Sequence, residues 1–555
     1  MAARSRRFAA QEAIRRLLVD IDSDDSSTDE NDIDIQVSDQ SSLSTSDEEP
    51  DVDIPEAQIN LDSLSSEFRA PDGTVWTKVS CSETRQRAGR TPIRNVIRHN
   101  PGVTRFMMNR VDEEKDIFLE LFGRNWIRHI RDFTIAEARK QGNDNFSLTD
   151  EELLSFIGLS IIRGVLKGKN EPLSSFWSAE YGRSIFNDTM SRNKFILIKR
   201  YIRFDDKSTR PRRRETDKFA AIRDLWETAM DRCRSSFNPG AQTTVDEQLF
   251  PCKCRCPFIQ YMSNKPDKFG LKFWMICDVA TKYVMNAIPY LGKIEQRAQN
   301  TSVPEYVVMQ LTEPYHGSGI SVTTDNFFTS ASLGNRLLSK NVTLLGTVRH
   351  NRREIPKEIM SNLEKNNVPV YSSSFYKSGN LFLAAYKVKS KKTVLILSTQ
   401  HKTPNIDQSN PKKKPEMVVA YNSTKFGVDT CDQMLRYYST KSATRRWPLS
   451  VFYNLMDILC LNAFVLAKEM RMKNANSRRE FLLFLGKQLC TGKSRQSTQR
   501  QNFSDFNQPS GNLFSTQRFR CCLCKSNKTR ETCSTCSKFV CGSCSKRTCG
   551  TCAYD

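Results

Sequence analysis

The tightest constraint on this chain lies at its end, where cysteines fall as Cys521-x2-Cys524-x8-Cys533-x2-Cys536-x4-Cys541-x2-Cys544-x4-Cys549-x2-Cys552. A two-residue gap lets two thiolates reach one tetrahedral metal ion, and eight such ligands make two closed zinc sites. One zinc could take pairs one and three and the other pairs two and four, or each could take neighbouring pairs; the spacing leaves both open. A secreted disulfide framework is disfavoured. No apolar segment of secretory type opens the chain, nine further cysteines are scattered along it, and four consecutive C-x2-C pairs would strain as local disulfides. The chain is expected to be intracellular and reduced, with Cys522 a spare thiol.

A length of 555 residues is enough for roughly three or four domains. The net charge of +22 is unevenly placed: Asp20 to Asp62 holds 16 Asp or Glu and no Lys or Arg, leaving 84 basic against 46 acidic residues elsewhere. Such an excess calls for a polyanion, because each cation set against a phosphate releases condensed counterions. Nucleic acid is the expected partner. No membrane is expected: the most apolar stretch, Leu449 to Ala467, carries Asn454, Asp457 and Asn462 and reads as a buried helix. Arg4, Arg6, Arg7, Arg15 and Arg16 could suggest an organelle presequence, but Glu12 and the acidic tract argue against one.

The Ser, Asp and Glu-rich residues 20 to 65 cannot bury enough apolar surface to offset ordering entropy and are expected to be disordered. From about Arg94 the pattern turns helical. Thr149 and Glu152 form a capping box ahead of an apolar run from Leu153 to Ile162, and more helix is expected through Phe195 to Tyr201 and Ile222 to Met230. Between the last two lies a basic run, Lys207, Arg210, Arg212, Arg213 and Arg214, either a solvated face or a DNA contact. Strands are expected at Thr243–Val245, Leu271–Val279, Tyr283–Tyr290, Gly319–Thr324, Val342–Val348, Val368–Ser372, Leu381–Val388 and Thr393–Ser398. Helices should resume at Cys431 and run, after Trp447-Pro448, to about Met472.

Asp246 and Asp325 are expected at strand ends, and Asp429 and Asp432 stand three apart on one helix face. Two divalent cations about 3.5–4 Å apart need hard oxygen ligands from several elements, and such carboxylates can supply them. Taken singly, an Asp at a strand end is more often a turn or cap residue.

The words around these residues resemble the piggyBac family of DNA transposases: Val245-Asp246-Glu247-Gln248, Asn264-Lys265-Pro266, Lys268-Phe269-Gly270, Asp325-Asn326-Phe327-Phe328-Thr329, Gly346-Thr347-Val348-Arg349, Tyr421-Asn422-Ser423-Thr424-Lys425, Gly427-Val428-Asp429, Asp432-Gln433-Met434 and Arg446-Trp447-Pro448. The match runs in order from Asp72-Gly73-Thr74-Val75-Trp76 to the C-terminus. It implies an α/β multidomain architecture: an acidic disordered region (1–93), a helical dimerisation and DNA-binding domain (94–241 and 439–490), an RNase H-like catalytic core (242–352 and 416–438), a β-rich insertion (353–415), a linker (491–518) and a cross-brace zinc domain (519–555). It also implies a nuclear, homodimeric enzyme that binds the terminal repeats of double-stranded transposon DNA, excises at TTAA through hairpins and integrates at TTAA. By that resemblance Asp246, Asp325 and Asp432 are catalytic and Asp429 is a further ligand for two Mg²⁺ or Mn²⁺ ions. Cys521, Cys524, Cys541 and Cys544 would hold one Zn²⁺, and Cys533, Cys536, Cys549 and Cys552 the other.

Several residues depart from the family pattern. Cys544 stands where several relatives have histidine, Phe426 replaces a commoner glycine, and Cys252, Cys254 and Cys256 occupy a stretch that usually carries one cysteine. These three suit alternation on one strand face better than a third metal site, for lack of a fourth ligand. Lys265 and Arg349 are candidates to hold phosphates, Arg212, Arg213 and Arg214 to contact DNA, and Trp447 to stack on an unpaired base, against surface charge and core packing respectively. Two rivals remain: a domesticated relative that binds DNA without cutting, and a terminal zinc module that docks proteins.

Overall fold

The computed structural model describes residues 67–79, 96–263, 265–292, 301–364 and 368–490, and around the terminal cysteines 519–521, 524, 526–529, 531, 539 and 541–543. The acidic tract and Cys522, Cys533, Cys536, Cys544, Cys549 and Cys552 lie outside the described residues. The chain divides into two units, Met1–Gln496 and Ser497–Asp555.

In the first unit the strands β1 (Glu67–Arg69), β2 (Val75–Val79), β3 (Gln242–Pro251), β4 (Gln260–Tyr261), β5 (Phe269–Asp278), β6 (Val284–Pro289), β7 (Ser321–Thr324), β8 (Thr343–Val348), β9 (Ser373–Ser378), β10 (Leu381–Lys389) and β11 (Lys392–Ser398) make one sheet. Its order is β1-β2-β9-β10-β11-β8-β7-β3-β5-β4, with β6 also on β5. At the centre β7 runs parallel to both β3 and β8, and all four of its residues are buried, as a strand covered on both faces requires. Outward from β3 the meander β3-β5-β6 is antiparallel. On the other side β8 pairs antiparallel with β11, so the 373–398 strands continue the same sheet without a break.

The helices are amphipathic or apolar in the way their positions demand. α1 (Glu114–Phe122), α2 (Asn125–Lys140), α3 (Asp150–Val165), α4 (Arg192–Tyr201), α5 (Arg210–Thr216) and α6 (Arg223–Ser236) precede β3. α7 (Glu416–Thr424), α8 (Gly427–Tyr437), α9 (Trp447–Glu469) and α10 (Arg478–Cys490) follow β11. The α3 capping box forms: Thr149 Oγ1 accepts from the Glu152 amide at 3.2 Å and Glu152 Oε2 accepts from the Thr149 amide at 3.0 Å. α3 and α10 touch backbone to backbone, since a Cβ on Gly158 would stand 2.5 Å from the Gly486 carbonyl oxygen. Segments far apart in sequence are thereby joined in one helical layer. α9 is long and apolar enough to cross a membrane, but 94% of its most apolar window is buried within the protein. Two of its polar residues are satisfied there, Asn462 by both the amide and the carbonyl of Val284 and Asp457 by donors from Ser439 and Thr440, whereas Asn454 donates to Gln248 and its buried Oδ1 has no partner.

Three expectations need correction. Asp246 does not close a short strand; β3 runs on to Pro251 because it pairs with β5 along its full length from Thr243. The expected strand at Val368–Ser372 is displaced to Ser373–Ser378, since Tyr371 sits at φ +68°, outside the extended region. The helix expected at Cys431 begins at Gly427, and a separate helix, α7, starts directly after Pro415. Cys252, Cys254 and Cys256 lie past the end of β3 yet are all buried, alternating with exposed Lys253 and Arg255; Cys252 and Cys254 are bonded to each other.

Candidate active site

Strand register brings the first two carboxylates together. The parallel β3/β7 ladder ends at the Val245–Thr324 pair, so Asp246 and Asp325 each stand one residue beyond it. β7 stops there because Asp325 Oδ1 accepts from the amides of Phe327 at 2.9 Å and Phe328 at 3.4 Å, turning the chain.

The third contribution comes from α8, laid along β3. Residues 244, 246 and 248 share one face of the strand by its period of two. Thr244 Oγ1 donates to the Thr424 carbonyl at 2.6 Å, and Thr323 Oγ1 donates to Thr424 Oγ1 at 2.8 Å, fixing the junction of α7 and α8 on both strands. Gly427 is required at this junction: a Cβ would stand 2.7 Å from Thr244 Oγ1 and 2.9 Å from Thr244 Cβ. The exposed Phe426 lies on the outer side of the junction, its ring under Lys425 Nζ at 4.6 Å.

This geometry divides the two helix carboxylates. Asp429 raises the pKa of Asp246 together with Asp325, and its side chain is 51% exposed with Lys265 Nζ at 3.5 Å. Asp432, a turn further on, is buried and held on both oxygens: Oδ1 accepts from Gln248 Nε2 and Oδ2 from Arg436 Nε, each at 3.0 Å. Gln248 is itself fixed by Asn454 Nδ2 of α9 at 2.9 Å, and Arg436 also donates to Asp267 and to the Leu249 carbonyl. Among the described residues no three of the four Asp carboxylates bring an oxygen each within 4.8 Å of one another.

The electrostatics are those of crowded, partly desolvated anions. Burial holds Asp246 well above the usual carboxylate range, and Glu247, Asp325 and Asp429 add to it against the Glu247 amide. Burial and Glu247 raise Asp325, opposed by the Phe327 and Phe328 amides and Arg349. Burial likewise raises Asp432, opposed by Arg436, Gln248 and Lys265. Tyr421 borders the same cluster; burial and the three carboxylates raise it.

The expected DNA contacts fare differently. Lys265 donates to the Glu247 carbonyl at 3.2 Å as well as facing Asp429. Arg349 is exposed and bonds Asn326 at 3.0 Å, next to Asp325. Arg212 and Arg214 are exposed, but Arg213 is held by Asp205 and the Ala220 carbonyl. Trp447 stacks on Phe219 at 5.7 Å and meets Phe258 edge-on at 5.1 Å, so its ring belongs to the helical core. Sequence reasoning missed Gln248 and Arg436 as partners of Asp432, although Gln248 belongs to the Val-Asp-Glu-Gln word and Arg436 has helical i,i+4 spacing from Asp432.

In the second unit Cys521, Cys524 and Cys541 bring their sulfurs within 4.8 Å of one another, Cys524 and Cys541 at 3.7 Å. Pair one therefore meets a thiol of pair three, the interleaved choice at this site. Hydrogen bonds from Ser526 and from the backbone at Asn527 hold the Cys524 thiol down to about 5. Three soft sulfurs, with the Cys524 thiol readily ionised, fit a zinc ion.

A family profile described as Transposase IS4 matches residues 113–464. Human PiggyBac transposable element-derived protein 3 is 24% identical over 367 residues, which cover 62% of this chain and 59% of the relative. Human PiggyBac transposable element-derived protein 2 is 24% identical over 353 residues, 59% of this chain and 57% of the relative. The chain thus spans under two thirds of the length of these curated relatives. A piggyBac transposase solved by cryo-EM as a synaptic complex with hairpin DNA superposes with a TM-score of 0.70 at 32% identity, over 82% of this chain and all of that one. A profile match over more than half of its length, together with this structural likeness, establishes that the chain belongs to the piggyBac family of transposases.

Proposed function

We propose that the protein is a piggyBac-type cut-and-paste DNA transposase that binds transposon ends, excises at TTAA through hairpin intermediates and joins the ends to TTAA targets by metal-dependent phosphoryl transfer. The observation that carries this reading is the convergence of Asp246, Asp325 and Asp429 from β3, β7 and α8 on one edge of the sheet. An antiparallel meander continued by two parallel strands, with carboxylates at their joined end, supports an RNase H-like core. The hard oxygen donors and their mutual repulsion fit divalent cations, Mg²⁺ or Mn²⁺, held by Asp246, Asp325 and Asp429. Bound there, such ions supply Lewis acidity for activating water or a 3′-hydroxyl and for steadying the leaving oxygen.

The remaining roles fall to the chain itself. Asp432 keeps Arg436 and Gln248 in place and thereby sets the pitch of α8 that presents Asp429. Lys265 balances charge at the open edge, and exposed Arg349 beside Asp325 is positioned to hold a DNA phosphate. The terminal module grips transposon ends around Zn²⁺, one ion on Cys521, Cys524 and Cys541. Homodimerisation and nuclear location belong to the same reading. A second reading, a domesticated DNA-binding protein, is favoured by the human relatives, whose names mark them as derived from transposable elements. An excision assay on a TTAA-flanked donor decides: the parent should release the element and the Asp246→Asn variant should not. Absence of excision by the parent, with DNA binding intact, selects the second reading.

A further inference from the structure

Away from the carboxylates, the helical layer holds a pocket of about 340 Å³, within the size range of sites that enclose a small ligand. Eight of its fourteen lining residues are Lys or Arg and none is Asp or Glu. They come from three stretches far apart in sequence: 203–218, Arg255, and Arg445 with Arg446. A parallel bridge joins the backbones at Arg255 and Arg446, which brings two of these stretches together.

Two carboxylates behind the walls are each shared between two cations. Glu137 answers both Arg203 at 2.6 Å and Lys207 at 2.9 Å, while Asp205 answers both Arg210 and Arg213. Arg446 donates to the carbonyls of Lys199, Arg200 and Ile202, so it is anchored without neutralisation. Burial pushes its pKa down to about 10, and Arg203 beside it adds to the effect. Arg214 and Arg445 are exposed at the rim and make no ion pair among the described residues. Trp447 and Pro448 supply an apolar wall, and the Trp447 ring is immobilised by Phe219 and Phe258. Fixed cations gathered in a concave, partly dry site lower the energy of an anion far more than the same charges spread over a surface.

We propose that this pocket is a phosphate-binding site that takes a backbone phosphate of a DNA strand, seated by anchored Arg446 and closed by Arg214 and Arg445. The proposal rests on the DNA-handling function above but concerns binding, not cutting. Its positional content is that sequence-independent grip is concentrated here, more than on the exposed face of the α5 run as a whole.

The test uses the full chain carrying Arg214→Ala with Arg445→Ala, against a charge-matched control, Lys468→Ala with Lys473→Ala. Lys468 lies near the opposite end of α9 from Trp447, about 30 Å away at 1.5 Å per residue. Binding to a labelled TTAA-containing duplex is measured across a salt series, and thermal stabilisation by tripolyphosphate is measured in parallel. The slope of log affinity against log salt should fall by about 0.9 for each phosphate that the variant no longer neutralises, with unchanged melting and a control close to the parent. An unchanged slope, or an equal fall in the control, overturns the proposal. So does a tripolyphosphate shift that disappears in the pocket variant while its DNA binding stays at the parent level, since the anion is then a free polyphosphate. A parent that binds duplex but excises nothing would sink the transposase reading and leave the pocket standing.

Discussion

Replacing Asp432 or Asp429 by Asn should separate two neighbouring carboxylates by their effects on stability. In Asp432→Asn one oxygen becomes an NH₂ group, which must face either Gln248 Nε2 or Arg436 Nε, both donors now at 3.0 Å. With Gln248 and Asn454 oriented as they stand, one buried hydrogen bond disappears whichever way the amide turns, and the guanidinium loses its buried counter-charge. Removing one partner of a buried pair costs about 3–5 kcal/mol. Arg436 keeps Asp267 and the Leu249 carbonyl and is 27% exposed, so about 2–3 kcal/mol is expected. Asp429→Asn breaks only a 3.5 Å ion pair with Lys265 at a half-exposed position, worth about 0–1 kcal/mol. Urea denaturation followed by tryptophan fluorescence gives the stabilities, and donor nicking gives the activities. Asp429→Asn should keep the parent's stability and lose cleavage by a factor on the order of 100 or more. Asp432→Asn should lose both. An Asp432→Asn variant within about 0.5 kcal/mol of the parent would refute the division of roles.

Three further outcomes are expected. Burial pushes the Asp457 carboxyl up to about 7, so the folded chain binds its proton more tightly than the unfolded chain, where the usual value is about 4. This contribution to stability is present below pH ~4 and lost as pH rises to ~7, on the order of 4 kcal/mol, and Asp457→Asn should flatten unfolding curves across that window; an unaltered pH dependence counts against it. Gly427→Ala should cost about 1–3 kcal/mol and depress excision, because Thr244 cannot rotate away without losing its bond to Thr424; full activity would show that α8 can shift freely. Cys541→Ala should lower bound zinc and abolish the preference for end DNA over random DNA while nonspecific binding persists, zinc contributing about 10–16 kcal/mol to such small folds; unchanged zinc content removes Cys541 from the ligand set.

Much of the architecture is written in local signals. The Thr149 and Glu152 cap closes across three residues, most β-branched runs became strands, and the C-x2-C gaps announce metal ligands before any fold is known. The motif words around Asp246, Asp325 and Asp429 likewise sufficed to indicate the family, since ligand chemistry constrains residue type at each position. Local signals were weakest where pairing is distant: β2 is held by β9, about 300 residues away, and β3 continues past Asp246 because β5 pairs with it.

The site shows the same division. Sequence alone placed four Asp residues in order and identified the chemistry they could perform. Only the tertiary structure decided that Asp429 adds its charge to that of Asp325 on Asp246 while Asp432 is bound to Gln248 and Arg436. That outcome depends on how α8 lies along β3, which the close approach of Gly427 to Thr244 determines. Sequence alone showed the basic excess as well, but not its location. The pocket exists because folding brings Arg203 to Lys218, Arg255 and Arg445 to Arg446 to one concavity, and electrostatic potential follows distance in space, not position along the chain.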